Sequence, residues 1–275
     1  MAQMGPANVA QLLEENRQDI QTIMERIKGE DSGGTCIVDE LFVLRFVLAD
    51  RENAEANIRA TLQWRRNNRD ILLRARSGDV PYENEMLRHV KRGACGWLAP
   101  HLLVMVVRAG HGDAVNLMRE LTVEQVTQNL VMQYEHRFAI LDERTRAKGV
   151  LGKLIFVLDL QNFSMRNFDR RFAKANGESG RLSNLYYPQL IQSIVIINLP
   201  STFRLLYSLS ERFSARAASE KEKICPARTK RGSAKDCPFL AQFGSENVEN
   251  AIPRFLGGSC PTPRSLQLEN EMDET

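Results

Sequence analysis

The chain reads as an α/β protein in which a small helical lobe precedes a lobe of alternating strands and helices. Two observations carry that reading. Over the first 95 residues apolar positions recur at helical spacing: Val9, Leu12, Leu13, Ile20, Ile23, Met24 and Ile27 form one stripe, and Asp39 to Leu48 and Ala54 to Asn67 continue the pattern. From Trp97 the pattern changes to short branched runs, Leu102 to Val107, Leu154 to Leu160 and Ser193 to Asn198, separated by helix-length stretches. Strands alternating with helices predict a sheet with helices packed on it. The expected divisions are 1–95 for the helical lobe, 96–265 for the α/β lobe and 266–275 for an acidic, disordered tail.

Residues 8–28 are predicted as one amphipathic helix, ended by Glu30 to Thr35 with its two glycines. Its polar face carries Glu14, Glu15, Asp19 and Glu25 beside Arg17 and Arg26, so bundle packing suits it better than an anionic membrane surface. Thr122 to Glu143 is a long helix with Val126, Leu130, Tyr134, Phe138 and Leu141 inward, and Phe168 to Ser183 is helical at least in part. Leu185-Tyr186-Tyr187-Pro188-Gln189 leads into a strand that Asn198 and Pro200 stop. Phe203, Leu206, Leu209 and Phe213 then return to helical spacing over residues 201–213, and Lys223-Ile224-Cys225 starts a further strand candidate.

A chain of 275 residues holds one large domain or two lobes and buries a substantial core. With 43% hydrophobic and 26% charged residues its composition is that of a globular protein, and a net charge of +3 is too small to argue for nucleic acid. The apolar runs are strand-length, far short of the roughly 20 residues that a spanning helix needs. No basic start followed by an apolar core opens the chain and Gly5 is not at position 2, so neither a secretory leader nor a myristoyl anchor is expected. Five cysteines (Cys36, Cys95, Cys225, Cys237, Cys260) form no CxxC pair and are expected as free cytosolic thiols; the alternative is a clip or half a metal site at Cys225 and Cys237.

The succession of Tyr186-Tyr187-Pro188, a strand ending Ile197-Asn198-Leu199-Pro200 and an amphipathic helix resembles the CRAL-TRIO lipid-binding family, in its phosphatidylinositol/phosphatidylcholine transfer branch. Leu44 to Leu48 and Leu62 to Arg66 resemble that family's helical lobe, Leu154 to Asn162 its central strand and turn, and Ile252 to Gly258 its closing segment. The resemblance implies an α/β/α lobe whose mixed sheet floors an apolar cavity beneath a movable gate helix. It also implies a bound lipid and no other cofactor. Met105, Leu154, Phe156, Leu158, Tyr187, Val195 and Ile197 are the expected cavity residues, and Phe203, Leu206, Leu209 and Phe213 the expected gate. From the residues alone the last four read equally as a core helix face; the resemblance makes them a lid.

Basic residues Arg204, Arg212, Arg216, Lys221 and Lys223, then Arg228, Lys230, Arg231 and Lys235 in a loop at 226–236, suit transient docking on an anionic membrane or a solvated surface loop. The head-group candidates are Arg51, Gln189, Lys221 and Lys223. Two departures from the family pattern bear on the ligand. Phosphatidylinositol-transferring members carry an acid after the YYP motif and a basic pair after the segment like Leu44 to Ala49; here Gln189 and Asp50-Arg51 stand there. Members that handle phosphatidylcholine place hydroxyls on the central strand, where Leu154, Phe156 and Leu158 are apolar, which leaves a different phospholipid or an isoprenoid or sterol-like ligand open.

No enzymatic constellation emerges. Gly177-Glu178-Ser179-Gly180 is not a nucleophile elbow, Gly152-Lys153 lacks the upstream glycine of a P-loop, and His89, His101, His111 and His136 have no metal-ligand spacing. Asp159, at a strand end, fits a turn-capping role better than a general base. The expectation is a cytoplasmic, monomeric, non-enzymatic lipid carrier with peripheral membrane contact and no nucleic-acid partner. The alternative is a lipid-sensing or ligand-free interaction module on the same fold.

Overall fold

A computed structural model describes residues 8–199, the strand at 222–224 and residues 237–268. They fall into two compact units, each drawn from separated stretches of chain. The first takes in 1–83, 122–152 and 171–190, and the second 84–121, 153–170 and 191–275. The N-terminal helices therefore share their unit with two later segments, and no single boundary near residue 95 divides the chain.

In chain order the first helices are α1 (Val9–Glu15), α2 (Arg17–Arg26), α3 (Glu40–Ala49), α4 (Ala54–Asn67) and α5 (Arg69–Arg76). They are followed by α6 (Glu83–His89), α7 (Ala114–Glu120), α8 (Val123–Lys148) and α9 (Arg170–Tyr186). The continuous helix expected over 8–28 is broken at buried Asn16, whose Nδ2 donates to the Leu12 carbonyl at 2.8 Å. Asparagine competes with the helical backbone in this way, and the stripe of apolar residues gives no sign of it. Ile20, Ile23 and Ile27 still pack with Leu44, Val47, Ile58 and Leu62 in one core.

A buried ionic centre ties the first unit together. Arg65 on α4 donates to Glu135 on α8 at 2.7 Å and to the Thr35 hydroxyl at 2.8 Å, while Arg76 on α5 reaches the same Glu135 oxygen at 3.2 Å. Beside it, Tyr187 packs against Phe138 and Trp64, with ring centroids 5.6 and 6.1 Å away. The α8 helix starts on a reciprocal cap, Thr122 with Gln125, which satisfies two of its free N–H groups.

The second unit is built on a five-stranded mixed sheet of order β1-β2-β3-β4-β5, formed by Arg92–Ala99, Leu102–Arg108, Lys153–Asp159, Ile191–Ile197 and Glu222–Ile224. β1 runs antiparallel to β2 and the remaining pairs are parallel. One face of the sheet (Leu102, Val104, Val106, Ile155, Val157, Val195 and Ile197) is sealed by Leu240, Val248, Ile252, Leu256 and Leu266. The sealing residues come from α10 (Pro238–Ala241), α11 (Ser245–Ala251) and the turns after them.

β1 is absent from the sequence reading because Gly93 and Gly96 look like breakers. They are there for space. A Cβ on Gly96 would lie 2.6 Å from the Asn250 carbonyl oxygen and 2.7 Å from the Ala251 Cα, and one on Gly93 would lie 2.8 Å from the Ser265 hydroxyl. The backbone neighbours of Gly96 leave no flexible side chain to yield. Gly96→Val should therefore destabilise the protein by about 1–3 kcal/mol or more, read as a lowered denaturation midpoint in urea. Gly177→Ala, at an open helical position, should not.

Candidate functional site

In a strand successive side chains alternate between faces, so the inter-strand register decides which residues share a surface. Met105 pairs with Phe156 and Phe156 with Ile194; Val107 pairs with Leu158 and Leu158 with Ile196; Leu103 pairs with Leu154. These residues make one apolar surface across β2, β3 and β4, about 10 Å wide and slightly longer. Leu103, Met105, Leu154 and Ile196 are buried, whereas Val107, Phe156, Leu158 and Ile194 keep part of their surface accessible. The opposite face of the same strands is closed by its own core.

The expected cavity floor divides on this geometry. Met105, Leu154, Phe156 and Leu158 lie together on the partly open face. Val195 and Ile197 do not: Val195 registers with Val157 and Ile197 with Asp159, and both are buried in the core on the other side. The β4 residues on the open face are Ile194 and Ile196. Ser193-Ile194-Val195-Ile196-Ile197 is branched and apolar at four consecutive positions, so alternation gives no hint of which pair faces where. Tyr187 belongs to the first unit, where it is 1% exposed and packed as a core side chain.

Asp159 closes β3 in the turn-capping role. Its Oδ1 accepts the Gln161 backbone N–H at 2.9 Å and the Asn198 amide at 2.8 Å, and the residue is fully buried.

Two head-group candidates, Arg51 and Gln189, fall in the first unit. Gln189, in the left-handed region with φ 62°, donates from its side-chain amide to the Leu48 carbonyl at 3.0 Å, at the end of α3. Arg51, just beyond that end, pairs with Asp19 at 2.8 Å and donates to the Asn16 side chain at 2.7 Å, with its side chain 61% exposed. Asp50 turns away to accept from Asn53 and hold the turn into α4. A separate groove of about 290 Å³ at α1, α2 and Glu40 is lined by Glu14, Arg17 and Gln21 as well as Leu13 and Ile20, a mixed lining poorly suited to an acyl chain. Lys223 is described through its backbone, paired with Val195 in β5. Lys221, the gate residues Phe203, Leu206, Leu209 and Phe213, and the basic loop 226–236 lie outside the described residues, as does the tail from Glu269.

Cys36, Cys95, Cys237 and Cys260 are unpaired thiols; burial pushes Cys95 up to about 12, so it is a poor nucleophile. No described helix is long and apolar enough to cross a membrane.

The CRAL/TRIO domain model matches residues 89–258. The phosphatidylinositol/phosphatidylcholine transfer protein SFH12 of Arabidopsis thaliana is 24% identical over 259 residues, covering 86% of this chain and 44% of its own length. Sec14 cytosolic factor of Schizosaccharomyces pombe is 26% identical over 171 residues, covering 61% of this chain and 55% of its own. The chain thus spans about half the length of these relatives. Among solved structures, the crystal structure of Sfh5 shares the fold with a TM-score of 0.50 over 78% of this chain and 79% of that one, at 15% identity.

The two faces of the sheet should differ in cost. Ile155→Ala removes a fully buried side chain from the sealed face and should lose about 2–5 kcal/mol in chemical denaturation. Leu158→Ala, one strand position from the end of the open face, should lose distinctly less.

Tyr187 supplies a pH test. Burial, and after it the Glu135 carboxylate, hold its hydroxyl well above the usual value of 10. The folded chain keeps this proton where the unfolded chain releases it, so its contribution to stability is complete below pH about 10 and falls as pH rises further. Tyr187→Phe should flatten the loss of stability above pH about 10, measured as the denaturation midpoint against pH.

Proposed function

The chain belongs to the CRAL/TRIO domain family, and on that premise we propose that it holds a lipid by its hydrocarbon chain and carries or presents it between membranes. The ligand is a phospholipid or another lipophilic molecule, no covalent chemistry is involved, and the carrier is a cytoplasmic monomer that touches anionic membranes transiently. The observation that carries this reading is the partly open face of Met105, Phe156, Leu158 and Ile194, aliphatic or aromatic at every position. The names of SFH12 and its relatives as phosphatidylinositol/phosphatidylcholine transfer proteins support it.

Each methylene removed from water contributes roughly 0.8 kcal/mol, so a long acyl chain gains on the order of 10 kcal/mol if it is fully enclosed. A gain of that size retains the lipid in water and favours exchange only at a bilayer. The proposed gate is Phe203, Leu206, Leu209 and Phe213, which would complete the enclosure. Arg51 and Lys221 are the proposed phosphate contacts; at Arg51 the exposed ion pair with Asp19 is worth about 0–1 kcal/mol, and the Asn16 side chain is its second partner.

Native mass spectrometry of the purified chain, with extraction and identification of anything bound, tests the reading. One stoichiometric lipid is expected, with transfer between donor and acceptor liposomes. Phe156→Asp places a carboxylate on a surface without donors and should lower lipid occupancy by about tenfold or more while the far-UV circular dichroism stays unchanged. A wild-type protein that is empty and takes nothing from liposomes would sink the proposal.

A further inference from the structure

Among the described residues three large apolar side chains stand exposed: Ile37, Met165 and Phe168. A single exposed apolar residue needs no explanation, but two on one turn do. Met165 and Phe168, 58% and 40% exposed, occupy the turn that leaves β3. Its base is fixed. Asp159 holds Gln161 and Asn198, the Phe163 N–H donates to the Leu160 carbonyl at 3.0 Å, and Gly110 approaches so closely that a Cβ there would lie 1.6 Å from the Gln161 oxygen.

Its tip is also hydrogen-bonded. The Ser164 hydroxyl accepts from the Arg166 N–H at 3.3 Å, Asn167 N–H donates to the Ser164 carbonyl at 3.1 Å, and Phe168 N–H donates to the Met165 carbonyl at 3.3 Å. The turn thus offers greasy side chains on a backbone that already has internal partners, which lowers the cost of leaving water. Arg166 lies between these two residues in sequence and Arg170 two positions beyond Phe168, both exposed, and the one acid between residues 160 and 170 is the half-buried Asp169. Apolar tips beside guanidinium groups match a bilayer surface, where chains accept the tips and phosphates accept the arginines in bidentate fashion.

We propose that the 160–170 turn is a membrane anchor, in which Met165 and Phe168 enter the acyl region of an anionic bilayer while Arg166 and Arg170 hold lipid phosphates. This rests on the carrier reading and deepens it by naming residues for the docking surface other than those of the proposed gate. The anchor needs no rearrangement of the sheet, because the side chains concerned already face water.

Flotation of the full chain with vesicles of phosphatidylcholine containing phosphatidylserine, and of phosphatidylcholine alone, tests it. Wild type should float with the anionic vesicles, and the double variant Met165→Ser, Phe168→Ser should float about tenfold less at unchanged thermal midpoint. Each of Arg166→Gln and Arg170→Gln should weaken binding to anionic vesicles about fivefold and leave binding to neutral ones alone. As a second readout, Phe168→Trp should be quenched by bromine-labelled acyl chains. Wild-type flotation by the double variant, with no quenching of the tryptophan, overturns the anchor and would turn attention to a protein partner for the patch. If native mass spectrometry finds a carried lipid but the wild type does not float, the anchor fails and the carrier reading survives. Flotation through the turn by a chain that carries no lipid keeps the anchor and removes the carrier.

Discussion

The structure of the second unit depends on the parallel register of β2, β3 and β4. These strands are apolar on both faces, and a slip of one residue would exchange the surface that is sealed with the one that stays partly open. Aliphatic alternation cannot distinguish the two outcomes. The polar residues at the strand ends can. Arg108, paired in register with Asp159, donates to the Leu266 carbonyl at 3.0 Å and lies over the Phe255 ring at 4.1 Å, so its face is committed to the C-terminal turns. Asp159 is committed to Gln161 and Asn198. With those ends fixed, Val106, Val157 and Val195 turn inward to the core, and Met105, Phe156 and Ile194 share the other face, on which Phe156 and Ile194 keep part of their surface accessible.

The first unit is organised by charge instead. A buried ion pair is weak as a source of net stability, because desolvation opposes the attraction, but its geometry is demanding. Arg65 satisfies Thr35 and Glu135 at once, and Glu135 receives Arg76 as well, so the loop before α3, the helices α4 and α5, and α8 are fixed by one Arg65–Glu135 pair. Trp64, the neighbour of Arg65, stacks on Tyr186 at 4.0 Å between ring centroids. That stack, with Tyr187 against Phe138, sets the conformation of the chain just before β4 and places Gln189 where its amide meets the Leu48 carbonyl.

Those two modes of organisation explain what a sequence reader sees. Leu102 to Val107, Leu154 to Leu160 and the apolar positions of Thr122 to Glu143 announce their elements, the first two as apolar runs of strand length and the third by its helical period. β1 does not, since Gly93 and Gly96 are chosen for contact with residues roughly 150 to 170 positions later rather than for strand propensity. Asn16 breaks a helix through a side-chain bond that the surrounding apolar stripe conceals. The faces of the sheet are only partly legible for a related reason. β3 places Leu154, Phe156 and Leu158 on one face by alternation alone, but β4 offers a branched apolar side chain at four successive positions, and only pairing with β3 separates Ile194 and Ile196 from Val195 and Ile197.

The same uniformity bears on the selectivity of the proposed carrier. A wholly apolar surface distinguishes ligands by volume, at about 1–3 kcal/mol for each methylene gained or lost, and has no means of rejecting a head group it does not touch. Head-group choice must then come from the polar candidates. Asp50 is engaged with Asn53 and the Gln189 amide already donates to a carbonyl, which leaves neither as an obvious partner for a phosphate. Arg51 is the exception among the first unit's candidates, because its side chain is 61% exposed and its ion pair with Asp19 is cheaply exchanged, although the buried Asn16 side chain also accepts from it. One solvent-facing guanidinium can favour an anionic head group over a neutral one, but it cannot read the hydroxyls of a sugar. The proposed ligand is therefore defined by its hydrocarbon first and by its charge second.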